Sequence, residues 1–165
     1  MNLESVKALI FDVDGVFTNS DMLIAENGDH LRIMNARDGY AVRSAVAQGL
    51  HIAIITGGNS KGVRIRMQNL GIKDIYDNSQ DKPKDLMDFC ETHNYVSTDI
   101  LYMGDDFPDF EVMQLVGYPS CPSDAEPDII NISKYISPFR GGQGCVRDII
   151  QKTLLAKGMT LQYKL

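Results

Sequence analysis

Asp12 and Asp14 stand two residues apart, directly after the apolar run VKALIF at 6–11. Gly15 follows and permits a sharp turn that aims both carboxylates the same way. A second apolar run, HIAIIT at 51–56, ends in Thr56 and is followed by Gly57 and Gly58. A third, DILYM at 99–103, leads into Gly104, Asp105 and Asp106, with Asp109 three residues beyond Asp106. Lys82 sits just ahead of Pro83. Brought to one point, these groups suit phosphoryl transfer. Several carboxylates in one place repel each other, and a hard cation with oxygen ligands relieves the repulsion, so Mg²⁺ is expected. Its ligands would be Asp12, Asp105 and the backbone carbonyl of Asp14. Asp109 would join through water or merely brace the loop. Asp12 would attack phosphorus and form an acyl phosphate. Asp14 would protonate the leaving alcohol and later activate water. Thr56 and the amides after it, Gly57 included, would hydrogen-bond phosphate oxygens, and Lys82 would neutralise charge on Asp12 and on the transferring group.

Convergence requires elements that end at a common edge. The runs 6–11, 51–56 and 99–103 each read as a buried strand, and each carries its polar residues at its carboxyl end. Helical spacing intervenes. Asp38 is placed to cap a helix over 39–48, Ser60 starts one carrying Val63, Met67 and Leu70, and Pro83 suits the first turn of another carrying Leu86, Phe89 and Cys90. Pro108 opens a further helix, and a last one spans 145–157. Short strands are expected near 74–76, 118–121 and 134–136. MLIA and HLRI flank Asn27-Gly28, which predicts a β-hairpin inside 17–35 whose turn residues both adopt positive φ. The alternation predicts an α/β fold: a doubly wound, Rossmann-like, mainly parallel sheet with a small hairpin insertion after the first strand. Such folds bind ligands beyond the carboxyl ends of their strands.

Composition narrows the partners. The chain has 165 residues, so one domain spanning 1–165 is expected, with a tail from about 158. A net charge of −6 argues against nucleic-acid or membrane-surface binding and implies imported positive charge for an anionic substrate. No apolar run approaches the ~20 residues of a membrane span. Three widely spaced cysteines give neither a CxxC pair nor a disulfide framework. A cytoplasmic location follows as the default. His30, His51 and His93 are scattered, which argues against a zinc site. Met67, Met87 and Met113 read as core residues.

The four polar segments together resemble the haloacid dehalogenase superfamily. DVDGVFT at 12–18 is similar to its first motif, Thr56 in IITG to its second, Lys82 to its third, and GDDFPD at 104–109 to its fourth. NARDGYAVR at 35–43 and GGQGCVRD at 141–148 further resemble the capless family of 3-deoxy-D-manno-octulosonate 8-phosphate phosphatases. The resemblance covers roughly 5–157. It implies a phosphatase without a cap domain, Mg²⁺ as cofactor, a sugar-phosphate substrate, and a homotetramer in which the hairpin packs against neighbours. It also implies that Arg66 lies near the site, while the fork of Arg37 suits either a substrate carboxylate or an acid beside it.

Some residues depart from the family pattern. The position after Thr56-Gly57 carries Arg in the octulosonate phosphatases and Glu in the related enzyme for nine-carbon keto-sugar 9-phosphates; here it is Gly58. The segment before Lys82 reads DNSQDK, and the tail reads MTLQYKL. Gly58 allows a nine-carbon substrate, whereas Arg37, Asp38 and Gly39 favour the octulosonate. A phospho-accepting signalling domain is the alternative from a different class. It fits less well, because its phospho-accepting acid follows a middle strand, and because a general acid at Asp14 predicts turnover.

Overall fold

The computed structural model describes residues 2–162. Its centre is β1 (Ala8–Phe11), whose four side chains are all buried. A strand covered on both faces must be apolar throughout, which is why this segment runs without alternation. On one side β1 pairs with β4 (His51–Ile55), which pairs with β5 (Asp74–Tyr76). On the other side it pairs with β6 (Ile100–Met103), followed by β7 (Tyr118–Cys121) and β8 (Tyr135–Ile136). All five pairings are parallel, in the order β5-β4-β1-β6-β7-β8. The chain therefore winds outward from β1 in one direction and then in the other. The reversal leaves a crevice above β1, at the topological switch point.

Two apolar cores cover the two faces. One packs Leu9, Phe11, Ile52, Ile54 and Leu101 under α1 (Ala36–Ala47) and α6 (Cys145–Ala156). The other packs Ile10, Ile55, Tyr102, Leu86 and Phe89, the last two from α3 (Lys82–His93), with Val112 and Met113 from α4 (Phe110–Leu115). Successive strand residues feed opposite cores, as a period of two dictates. The register sets Phe11 beside Ile54 and Met103, so β1, β4 and β6 end level.

Several local expectations are corrected. Helix α1 begins earlier than 39, because the Asn35 side chain caps it by accepting from Arg37 N–H. Asp38 lies inside the first turn instead, where its buried carboxylate accepts from Arg147 N–H at 2.8 Å and ties α1 to the start of α6. Pro108 sits in a 3-10 turn (Phe107–Asp109) ahead of α4. A short helix, α5 (Pro127–Ile132), was not foreseen; six residues are too few to show a periodicity. Met67 and Met113 are core residues, but Met87 is 54% exposed. The cysteines are all free and buried. No helix among the described residues is long and apolar enough to cross a membrane.

The hairpin consists of β2 (Leu23–Ile24) and β3 (His30–Leu31), paired antiparallel and separate from the main sheet. Its turn is looser than a two-residue one. Ala25 N–H donates to Asp29 C=O, and Gly28 has φ +87° while Asn27 does not enter that region. This is a three-residue loop with a left-handed glycine last. The tail folds back on α1, where Ser44 Oγ accepts from Gln162 N–H and Gln48 donates to Thr160 C=O. The rest of MTLQYKL, 163–165, lies outside the described residues.

Candidate active site

The acids expected to converge do so at the carboxyl edge of β1, β4 and β6. Asp12 follows β1 directly, and its N–H still donates to Met103 C=O of the neighbouring strand. The chain then turns tightly, with Val13 C=O accepting from the N–H groups of Val16, Phe17 and Thr18. Gly15 sits in this turn at φ +87°, a region L side chains avoid. A Cβ there would also overlap the Asp105 carboxylate, so the glycine is needed both for the turn and for space.

Lys82 opens α3, whose N-cap is the Asp81 side chain. Its buried ammonium lies 3.2 Å from Asp12 Oδ2 and 2.6 Å from Asp109 Oδ1. Asp109 is well supplied with donors. Its Oδ1 also accepts from the Tyr102 hydroxyl at 2.7 Å, and its Oδ2 from Asp105 N–H at 3.1 Å. That use of both oxygens favours the bracing reading of Asp109 over direct ligation. Asp106 caps the following 3-10 turn by accepting from Phe107 N–H. Thr56 is buried at the end of β4, and Gly58 N–H donates to its hydroxyl at 3.3 Å.

The electrostatics call for a cation. Asp12, Asp105 and Asp109 present carboxylate oxygens within 4.8 Å of one another. Burial and the charge of Asp109 push Asp12 up to about 7, against the pull of Lys82. Burial, Asp12 and Asp109 push Asp105 to about 8. Asp12 Oδ1 and Asp105 Oδ1 are buried without a hydrogen-bond partner among the described residues. Two orphaned carboxylate oxygens beside one lysine fit a hard divalent ion such as Mg²⁺, which takes carboxylate and carbonyl oxygens.

Asp14 faces the same cleft but is not alone. Arg32, just past β3, grips its carboxylate with two hydrogen bonds, Nε to Oδ1 at 2.7 Å and Nη2 to Oδ2 at 2.9 Å. Arg32 is missing from the residues expected from sequence. The position of a Cβ on Gly58 lies 3.4 Å from Arg32 Nη2 and 3.5 Å from Asp14 Oδ2, so any side chain there would lean on this pair. The open cleft, about 770 Å³, is lined by Asp12, Asp14, Thr56, Gly57, Lys82 and Asp105 among others. Ser20 and Met22 from the hairpin arm and Glu111 from α4 also line it, and none was singled out by sequence.

Arg37 and Arg66 are not brought into this cleft. Arg37 is exposed on α1. Arg66, on α2 (Lys61–Asn69), packs its guanidinium against Gly39 and borders a separate groove with His30, Arg32 and Met34. Arg64 is committed to Asp77 at 2.5 Å.

This geometry agrees with the comparisons to known proteins. Residues 63–147 match the haloacid dehalogenase-like hydrolase family. The chain is 36% identical over 155 residues to the 3-deoxy-D-manno-octulosonate 8-phosphate phosphatase KdsC of Escherichia coli strain K12, covering 94% of this chain and 82% of that protein. It belongs to the haloacid dehalogenase-like hydrolases. Within that family, the crystal structure of the Yersinia pestis octulosonate phosphatase superposes with a TM-score of 0.92 at 32% identity, covering 95% of this chain and 85% of that one. The Moraxella catarrhalis enzyme, solved with magnesium, phosphate and KDO, gives 0.91 at 26% identity, covering 95% and 90%. Among the described residues, no cap domain stands over the edge of the sheet.

Proposed function

We propose that the protein is a Mg²⁺-dependent phosphatase that hydrolyses 3-deoxy-D-manno-octulosonate 8-phosphate. The observation that carries this reading is the pair of orphaned buried oxygens on Asp12 and Asp105, beside Lys82, in residues that line the open cleft. Substrate identity rests on the likeness to the octulosonate phosphatases.

Asp12 Oδ attacks phosphorus, and the bond from phosphorus to the sugar oxygen breaks as the acyl phosphate forms. Asp14, whose two oxygens accept from Arg32 in this structure, takes up a proton from solvent as substrate binds and gives it to the departing sugar oxygen. A water then attacks the acyl phosphate, Asp14 takes its proton, and inorganic phosphate leaves with Asp12 restored. Lys82 holds Asp12 in place and offsets charge gathered on the phosphoryl oxygens, and the Thr56 hydroxyl and Gly57 amide bind those oxygens. Mg²⁺, held by Asp12, Asp105 and the Asp14 carbonyl, supplies the positive charge that lets a phosphate dianion approach a carboxylate.

The protein is further read as a cytoplasmic, single-domain homotetramer. Free buried thiols suit a reducing compartment. Apolar exposure on the hairpin arm, with Leu23 at 67% and Ile33 at 84%, suits contact with a second copy. Arg37 and Arg66 are then available to a substrate bound across copies. A nine-carbon keto-sugar 9-phosphate is the second reading, which Gly58 allows, since no side chain there leans on Arg32 and Asp14.

The test is Mg²⁺-dependent phosphate release from a panel of both sugar phosphates. Preference for the octulosonate is expected, and Asp12→Asn should bring release to background. Metal-dependent release retained by Asp12→Asn overturns the mechanism.

A further inference from the structure

A second cluster lies at the opposite edge of the sheet. His51 is the first residue of β4, Asp74 the first of β5, and His93 the last of α3. Scattered in sequence, the two imidazoles meet on one carboxylate. His51 Nε2 lies 2.8 Å from Asp74 Oδ2, and His93 Nε2 lies 3.0 Å from Asp74 Oδ1. Among the described residues, only this group and the Asp12 group bring three metal-ligating side chains within 4.8 Å of one another. It borders an open groove that Lys73 and Tyr95 also line.

We propose that His51, Asp74 and His93 form a second metal site, one that takes Zn²⁺ through both Nε2 atoms and a carboxylate oxygen, with water completing a tetrahedron. The donor set decides the class of cation. Two imidazoles and a carboxylate suit Zn²⁺, while Mg²⁺ prefers the all-oxygen group on the other edge. Spacing agrees as well. Zn–N bonds of about 2.0–2.1 Å in a tetrahedron separate the donors by roughly 3.3 Å. The three donor atoms lie within 4.8 Å of one another, so they need to shift by no more than about 1.5 Å to share one ion.

The site is built before any ion arrives. His51 Nδ1 is 3.1 Å from the Tyr95 hydroxyl, the outer partner that orients a ligating imidazole. Phe89 packs against both rings, with centroids 5.0 Å from His51 and 4.8 Å from His93. Ligation through Nε2 leaves each ring's proton on Nδ1, where in His51 the Tyr95 hydroxyl accepts it. Bound there, Zn²⁺ ties the end of α3 to two strands, while the start of the same helix carries Lys82.

The test is a calorimetric Zn²⁺ titration of chelator-stripped protein, with excess Mg²⁺ present to fill the oxygen-donor group. Wild type is expected to bind one equivalent, and Co²⁺ in its place to give the intense visible band of a four-coordinate site. His93→Gln and, separately, Asp74→Asn should weaken binding by more than about 10-fold. Both variants should keep their circular dichroism and their Mg²⁺-dependent phosphate release. Two variants guard against one failing to fold. Wild type that binds no Zn²⁺ under excess Mg²⁺, or folded variants that bind as tightly as wild type, overturns the proposal.

Discussion

Arg32 and Asp14 lie 18 positions apart in sequence, yet they share two hydrogen bonds, at 2.7 and 2.9 Å, through which the hairpin arm fixes the orientation of a carboxylate in the cleft. A planar fork holds both oxygens at once, which an ammonium cannot do. Arg32→Ala and Arg32→Lys are both expected to lower kcat/KM for phosphate release by about 10- to 100-fold, the scale of a misplaced catalytic group. Steady-state kinetics check this. Full activity in Arg32→Lys would show that charge alone suffices and that the fork is dispensable.

The pair formed by Lys82 and Asp109 is buried on both sides, with exposures of 5% and 1%. Removing Asp109 leaves the buried ammonium with Asp12 alone, at 3.2 Å. Asp109→Ala should lower the unfolding free energy by about 3–5 kcal/mol, read from urea denaturation. The Tyr102 hydroxyl and Asp105 N–H lose their acceptor in the same variant. A change below about 1 kcal/mol, the range of exposed pairs, would mean that water replaces the carboxylate.

Acid should stabilise the metal-free protein. Asp12 and Asp105 sit near 7 and 8 in the folded chain, above an ordinary value of 3.8. The folded state therefore binds more protons than the unfolded one through that interval, and the stability gained below it is lost as pH rises through 7 and 8. Chelator-treated protein is expected to have a higher urea midpoint at pH 6 than at pH 8.5. Mg²⁺ competes with the same protons, so its affinity should rise over this range. A metal-free midpoint that climbs with pH would contradict the assignment.

The hairpin arm offers a separate experiment. Leu23 and Ile33 are exposed on the same arm. Leu23→Asp with Ile33→Asp should yield a smaller, still folded species by light scattering after gel filtration. An unchanged mass would place any interface elsewhere.

The convergence at the carboxyl edge was readable because Asp12, Thr56 and Asp105 come at the ends of strands, and parallel strands of matched register end together. Asp12, Thr56 and Asp105 needed no more than that. Arg32 was hidden because no spacing rule connects the base of a hairpin to an acid 18 residues earlier. The helix start was misread because Asn35 caps as well as Asp38 does, and only packing against α6 reveals which of the two was buried. The His51, Asp74 and His93 cluster was hidden for a different reason. Its members stand at the starts of strands and the end of a helix, where no motif marks their approach. Met87 fits a helical pattern on paper and points outward in the fold.

Gly15 gives the acid cluster a property that a count of acids cannot register. Its missing methyl is the space that Asp105 fills. A chain with every aspartate in place but alanine at this position would look competent by inventory and yet have nowhere to put the second carboxylate. What separates a working centre from a look-alike here is a vacancy, and residue 15 is where a reader of sequences should check for it.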